Sequence, residues 1–320
     1  MNHRLLGCTD LNVSPLCYGT VAFGTTAKGD ALLALYDQFR AAGGNFFDTA
    51  HCYCFWIDGA HGASERALGA CIRQRGDRDR VVIATKGGHP DAGPQYRRPA
   101  DYLAAPVIAQ DITESLERLG TDRIDLYWLH RDAPRVPVSD IIETLNAEIA
   151  RGRIRYLGAS NWTTDRIAAA NQHAQQRGLH GFVASQPRWS LAQPNPVKDS
   201  TNLALREADR LWHIQSQIAV IPYSPTACGY FASDGARARD QYENPRNRER
   251  LQRAKTLAAS LGATPNQIAL AYLLNQPFPV IPILGTANPA HLQDALAATT
   301  LPLTPTQQTW LRDGGDPPNI

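Results

Sequence analysis

The feature that most narrows the possible folds is an alternation. Eight short runs rich in Val, Ile, Leu and aromatic residues alternate with stretches of helical spacing, without a break in composition. The strand-like runs are 16–19, 45–48, 81–86, 126–130, 154–160, 182–186, 218–223 and 280–284. Apolar residues at helical spacing fill 30–42, the stretch opening at Ser64, 107–119 (which stops at Gly120), 138–150, 163–177, 203–213 and 264–275. Ser139 is expected to cap the helix at 138–150, and Thr264 the helix at 264–275, where Pro265 takes the first helical position. Repeated strand–helix units predict a parallel sheet, and eight is the number that closes into a (β/α)8 TIM barrel, here one α/β domain spanning 1–320. Two pieces fall outside the count. Residues 4–13, with Gly7 and Asp10 near the turn, predict an N-terminal β-hairpin that plugs the barrel base, and 304–313, capped by Thr304, predict a last outer helix. The loops at 187–200 and 224–250 are long, and both follow strands, which assigns them to the C-terminal face.

Composition removes several function classes. A net charge of +2 offers no bulk attraction for nucleic acid or acidic membranes. The six cysteines form no CxxC pair or disulfide-framework spacing, so free thiols in a reducing compartment are expected. The chain opens without the apolar core of a signal peptide, and no uncharged apolar run nears the ~20 residues of a membrane span. The expectation is a soluble cytoplasmic protein with a small-molecule partner and neither nucleic-acid nor membrane partners.

Three of the strand-like runs end in or near an ionisable group: Asp48 with Tyr53 five residues on, Lys86, and His130. A tyrosine, with an ordinary pKa of about 10, handles protons near neutrality only when a cation stabilises its phenolate. Lys86 can supply that cation, Asp48 can hold it protonated and oriented, and His130 can present an N–H to a carbonyl oxygen. Together they suit protonation of an oxygen that gains charge as hydride reaches its carbon. The catalytic candidates are therefore Asp48, Tyr53, Lys86 and His130.

With these residues in place the chain resembles the aldo-keto reductase superfamily over essentially its whole length. The likeness is carried by Asp48-Thr-Ala-x-x-Tyr53, Ala84-Thr85-Lys86, Leu126-Tyr-Trp-Leu-His130, Gly158-Ala-Ser160-Asn161, Ser185-Gln186, Tyr223-Ser224-Pro225 and Gly285-Thr286-Ala-Asn288-Pro289, in that order. The last two motifs resemble most the bacterial and channel-β-subunit-like branch. The resemblance implies a barrel that binds NADP(H) without a Rossmann domain, and no G-x-G-x-x-G lies between a strand and a helix here. It implies that Tyr53 is the general acid/base, tuned by Lys86 and Asp48, and that His130 directs the carbonyl. Ser160, Asn161 and Gln186 would hold the carboxamide, and Tyr223 would stack on the nicotinamide. Ser224, Pro225 and Ala227 would line the pyrophosphate, Gly19 and Thr20 would approach by backbone, and Gly285, Thr286, His291 and Asp294 would surround the adenosine. Three positions depart from the family pattern. His291 stands where an Arg or Gln often grips the 2′-phosphate, Asp294-Ala295 where Glu-Asn is common, and Asp234 where a lysine clamps the pyrophosphate. NADP(H) is expected over NAD(H), with Arg237, Arg239, Arg246 or Arg248 as substitute phosphate partners.

Trp56, Trp162 and Trp189 follow strands and are expected to line the substrate pocket. His61, Arg131 and Arg188 share those loops and read as solvated, with Arg131 joining the tryptophans as a candidate substrate contact. Flat rings beside such donors suit a small polar carbonyl, such as a sugar aldehyde or keto-sugar. The run His51-Cys52-Tyr53-Cys54 fits no common zinc spacing, so its thiols are expected to be structural or pocket-lining and no metal is assigned. Residues 244–250 read as a solvated helix start. Two other functions compete: an NADP(H)-binding sensor with little turnover, and a metal-dependent barrel hydrolase, for which only His130 and Asp48 are suitably placed.

Overall fold

The computed structural model describes residues 1–196, 199 and 201–318. The N-terminal hairpin pairs β1 (Arg4–Leu5) antiparallel with β2 (Asn12–Val13). Eight parallel strands follow: β3 (Cys17–Gly19), β4 (Phe46–Asp48), β5 (Val82–Gly87), β6 (Ile124–Leu129), β7 (Ile154–Ser160), β8 (Phe182–Gln186), β9 (Ala219–Val220) and β10 (Ile283–Leu284). Their spatial order is the chain order, with β10 beside β3. The ring closes between β9 and the approach to β10. Val220 N donates to Pro279 O (2.8 Å), Ile281 N to Val220 O (2.9 Å) and Ile283 N to Pro222 O (3.0 Å). The expected (β/α)8 barrel is therefore formed.

The helices wrap the outside: α1 (Gly29–Ala41), α2 (Ala63–Arg75), α3 (Ala105–Leu119), α4 (Val138–Ala150), α5 (Thr164–Arg177) and α6 (Glu207–Ser216) each follow one strand. After β9 come α7 (Arg239–Tyr242), α8 (Pro245–Leu261) and α9 (Pro265–Leu274), then α10 (Pro289–Ala297) and α11 (Pro305–Asp313). Among the described residues no helix is long and apolar enough to cross a membrane.

The period of two along each strand sorts the side chains. Phe46, Val82, Ala84, Leu126 and Trp128 fill the barrel, whereas Phe47, Ile83, Tyr127 and Leu129 pack outward against helices. The hairpin contributes Leu6, Leu11 and Val13 to the interior cluster, so it plugs the base as expected. Trp128 fixes one neighbour: a Cβ on Gly158 would stand 2.1 Å from the Trp128 ring, so the adjacent strand must carry glycine there.

Several local expectations need correction. Ser139 does not cap α4. Pro137 is the extended residue before the first turn, and Ser139, already inside it, donates instead to Asp140 Oδ1 (3.0 Å). The helix expected from 203 begins at Glu207, because Leu203 and Leu205 exchange backbone hydrogen bonds with Arg188 across the loop after β8. Thr264 and Thr304 do cap α9 and α11, each in a capping box. The segment 224–250 is not a plain loop, since it holds α7 and the start of α8 under an Asn244 cap. That start is only partly solvated, because Asn247 and Arg250 are buried.

Candidate active site

Inward-facing parity continues to the strand ends and sets the site. The positions after Phe46, after Val82 and Ala84, and after Leu126 and Trp128 in the same register are Asp48, Lys86 and His130. Tyr53 reaches them from the loop after β4. The start of that loop stays pinned to β5, with Thr49 N donating to Ala84 O (2.9 Å) and His51 N to Lys86 O (2.9 Å).

Asp48 and Lys86 are each only 1% exposed. The Lys86 ammonium uses all three donors, to Asp48 Oδ2 (2.5 Å), the Thr49 carbonyl (2.7 Å) and Tyr53 Oη (2.9 Å). Asp48 Oδ1 accepts from Gln186 Nε2 (3.0 Å), so the pair is hydrogen-bonded on both sides, as a buried ion pair requires. Burial works against the ammonium, but Asp48 and Tyr53 together carry its pKa above the ordinary lysine value. Burial pushes the Tyr53 phenol up and Lys86 pulls it down; burial prevails, so the resting phenol holds its proton.

The His130 imidazole is held far below its ordinary pKa by burial, then by Arg131, His89 and Lys86, and is therefore neutral. Its ring lies edge-on to Tyr53 at 6.1 Å and to His89 at 4.9 Å. Cys52 Sγ sits 3.4 Å from His130 Nδ1, and burial pushes that thiol up to about 12. A second buried network braces β5: Thr85 Oγ1 donates to Glu65 Oε1 (2.7 Å), and Arg118 Nη1 to Glu65 Oε2 (3.2 Å). Sequence reasoning missed Glu65, while Cys52, expected to be structural or pocket-lining, lies against His130. For Glu65 the signal was its place in the first turn of the helix behind β4, where a buried carboxylate needs partners on a neighbouring strand.

The residues assigned to a cofactor fall into two groups. Ser160, Asn161, Gln186 and Tyr223 lie together beside Asp48, Tyr53, Lys86 and His130. Ser160 Oγ donates to Gln186 O (3.1 Å), and Tyr223 Oη donates to Asn161 Oδ1 (2.8 Å). Beyond them a cavity of about 680 Å³ is walled by Pro225, Gly285, Thr286, His291, Asp294 and Arg237. Ser224 and Ala227 occupy left-handed backbone (φ 54° and 52°) in the turn leading into it. Gly19 is required by packing, since a Cβ there would meet Ile283 Cγ2 at 2.7 Å. Thr20 is fully buried and bonds Ser64 Oγ (2.8 Å), so its side chain is turned away. Asp294 is held by Thr264, Asn266 and Gln267. Asp234 is paired with Lys255. Of the four loop arginines, Arg237 lines this cavity, while Arg248 pairs with Glu243 (3.1 Å) and Arg246 donates to Gln193 (3.0 Å).

The expected substrate wall is largely corrected. Trp162 is buried against Phe182, because Asn161 (φ 58°) turns the chain outward just past β7. Trp189 stacks on Phe278 at 5.9 Å in the helical shell, as its outward parity after Gln186 requires. Arg131 is neither solvated nor free. It is buried, with donors on Thr201 (3.1 Å), Asn202 (2.9 Å) and the His130 carbonyl (2.9 Å). Arg188, expected at the surface, is buried on Tyr242 and Gln241. His61 is half-buried, its Nε2 3.0 Å from the His51 carbonyl. Only Trp56 remains exposed (53%), packed edge-on to Phe55. The ring that meets His130 besides Tyr53 is His89 (4.9 Å), which in turn packs on Tyr96 (5.7 Å) and Phe55 (6.4 Å).

A Tyr–Lys–Asp–His group gathered at the C-terminal mouth of a parallel barrel suits a carbonyl/alcohol oxidoreductase of the barrel type. Comparison with known proteins gives the same class. The sequence profile of the Aldo/keto reductase family matches residues 15–312, and the chain belongs to that family. It is 30% identical to an uncharacterized oxidoreductase, YrpG, of Bacillus subtilis, covering 95% of this chain and 92% of that protein. It is 29% identical to norsolorinic acid reductase B of Aspergillus parasiticus (94% and 80% covered). It is 28% identical to an aryl-alcohol dehydrogenase [NADP(+)] of Phanerodontia chrysosporium (97% and 85%).

Proposed function

We propose that the protein interconverts aldehydes or ketones with alcohols using NADP(H), with Tyr53 as the general acid/base. The observation that carries this reading is Tyr53 Oη at 2.9 Å from the fully engaged Lys86 ammonium. In reduction Tyr53 gives its proton to the carbonyl oxygen, and the phenolate left behind is stabilised by Lys86. Asp48 keeps Lys86 charged and oriented. The neutral imidazole of His130 donates a hydrogen bond to the same oxygen, without the positive charge that would compete with Lys86. Bound NADPH supplies the hydride.

The chain's residues fit that cofactor. The 680 Å³ cavity runs from the strand ends toward α10, and Gly285 leaves open space where a side chain would intrude. Arg237 and His291 offer positive or donor groups to an anionic end, while Asp294 and Asp234 are already engaged by donors or by Lys255. This favours NADP(H) over NAD(H), and one relative is itself named for NADP(+).

For substrate, the expected sugar-like carbonyl loses its support, because Trp162 and Trp189 pack away from the mouth and the Arg131 donors are already engaged by Thr201, Asn202 and the His130 carbonyl. The aromatic layer of His89 against His130, backed by Phe55 and Tyr96, favours a carbonyl on a flat, aryl-type group, in keeping with the relative named as an aryl-alcohol dehydrogenase. NADPH oxidation measured across aryl, aliphatic and sugar aldehydes tests the reading. Wild type should prefer aryl aldehydes, and Tyr53→Phe should lose turnover while still binding NADPH. Tight NADPH binding with negligible turnover on every carbonyl would make the protein a sensor instead.

A further inference from the structure

Cys52 has no part in the chemistry above and His89 transfers no proton there, yet both converge on His130. The run His51–Cys54 has no zinc spacing in sequence, but the barrel brings one thiol from the loop after β4, one imidazole from just past β5 and one from the end of β6 to a single point. Their ligand atoms all lie within 4.8 Å of one another. Cys52 Sγ and His130 Nδ1 are 3.4 Å apart. A tetrahedral ion with Zn–S of about 2.3 Å and Zn–N of about 2.0–2.1 Å needs a sulfur–nitrogen edge of roughly 3.6 Å, so this pair already has nearly the right span. The ring of His89 stands 4.9 Å from that of His130. His89 Nδ1 lies 2.8 Å from the Pro90 carbonyl, which fixes the proton on Nδ1 and leaves Nε2 with a free lone pair for a metal. One thiol and two imidazoles make a soft donor set, suited to zinc-class ions and unsuited to magnesium or calcium. Cys52 and His130 are buried and His89 is half-buried, so there is little bulk water to compete.

We propose that Cys52, His89 and His130 form a site for one thiophilic divalent ion of the zinc class, through which such an ion switches off turnover. On binding, the Cys52 S–H bond breaks, its proton leaves to solvent and the thiolate sulfur bonds the metal. His89 and His130 ligate as neutral imidazoles. The fourth position faces the open mouth and is left to water. The ion fixes the His130 ring toward sulfur and takes it out of service as an independent donor to a substrate oxygen. It also adds one net positive charge beside Tyr53 and Lys86. Binding stands independently of the carbonyl-reductase reading, whereas the loss of turnover rests on it.

Cobalt(II) titration of the resting protein is the direct test, because cobalt bound to a thiolate shows an intense sulfur-to-metal absorption that nitrogen and oxygen ligands do not produce. Wild type should develop this band to one cobalt per chain, and added zinc should bleach it. Cys52→Ala should lose the band although the exposed Cys8 and Cys228 remain, and His89→Gln should weaken cobalt binding at least tenfold. Turnover should fall as zinc occupies the site and return with chelator, and the residual turnover of Cys52→Ala should not respond to zinc. No band in wild type, or an equal band in Cys52→Ala, overturns the site. Full turnover with the site metal-loaded overturns the switch. Protein that shows the band but reduces no carbonyl, with or without metal, leaves the site standing and removes the carbonyl-reductase reading.

Discussion

Replacing Lys86 with methionine keeps most of the side-chain volume and removes the charge, so it isolates what the ammonium does. Three hydrogen bonds are lost together, to Asp48, the Thr49 carbonyl and Tyr53. At the observed 2.9 Å, a unit charge stabilises a phenolate by about 6 kcal/mol if the effective dielectric constant is about 20. Only part of that charge exists at the transition state for proton transfer, and positioned acid–base groups contribute roughly 10²–10⁴-fold. We therefore expect kcat for carbonyl reduction to fall by roughly 10²–10⁴ with NADPH affinity changed little. A second effect must be separated from this one: the buried Asp48 carboxylate loses its counter-ion, which typically destabilises by about 3–5 kcal/mol. The double variant Lys86→Met/Asp48→Asn removes both charges, so it should regain most of the lost thermal stability and none of the lost turnover. Steady-state kinetics and thermal melts on wild type and the two variants give the answer. A single variant keeping more than a tenth of wild-type kcat, or a double variant that recovers turnover along with stability, would refute the assignment of Lys86 to the phenolate.

Arg237→Ala should weaken NADPH binding about tenfold and leave NADH binding unchanged, since Arg237 is the loop arginine that lines the cavity; cofactor fluorescence titration reads this. Gly158→Ala should lower stability by about 1–3 kcal/mol in urea unfolding, because the new methyl group would overlap the Trp128 ring. Stability should also fall as the pH drops from 6.5 through about 4. His213, 1% exposed between Ser185 and Phe278, is held neutral at a pKa of about 4, and His61 and His89 are likewise lowered to about 4. The unfolded chain takes up these protons first, so stability rises with pH across that window, and His213 alone accounts for about 3 kcal/mol. His213→Gln should flatten the slope, and a profile as steep as wild type would count against this assignment.

Much of this molecule is legible from residue periodicity. The two-residue period of the strands carries Asp48, Lys86 and His130 to one mouth, and the order of strands and helices alone implies closure. Parity also carries the fate of Trp189, an odd step from the inward Gln186, which a rule of counting any aromatic after a strand overlooks. Trp162 is different. Its direction depends on the left-handed conformation of Asn161, which residue type alone does not dictate. Arg131 and Arg188 read as solvated because arginines usually are, and their burial follows from partners 53 to 71 residues away in segments whose paths are set by tertiary contact. The meeting of Cys52 with His89 and His130 is likewise a product of three separate strands, invisible to any search for ligands along the chain.

The hairpin wedged under the strands has a chemical corollary. With Leu6, Leu11 and Val13 packed into the lower end, the described residues close the base beneath the lysine–tyrosine couple with apolar side chains. Every proton consumed in a cycle must be replenished from above, along the same throat that admits reactants. Whatever covers that throat therefore times proton supply and chemistry together.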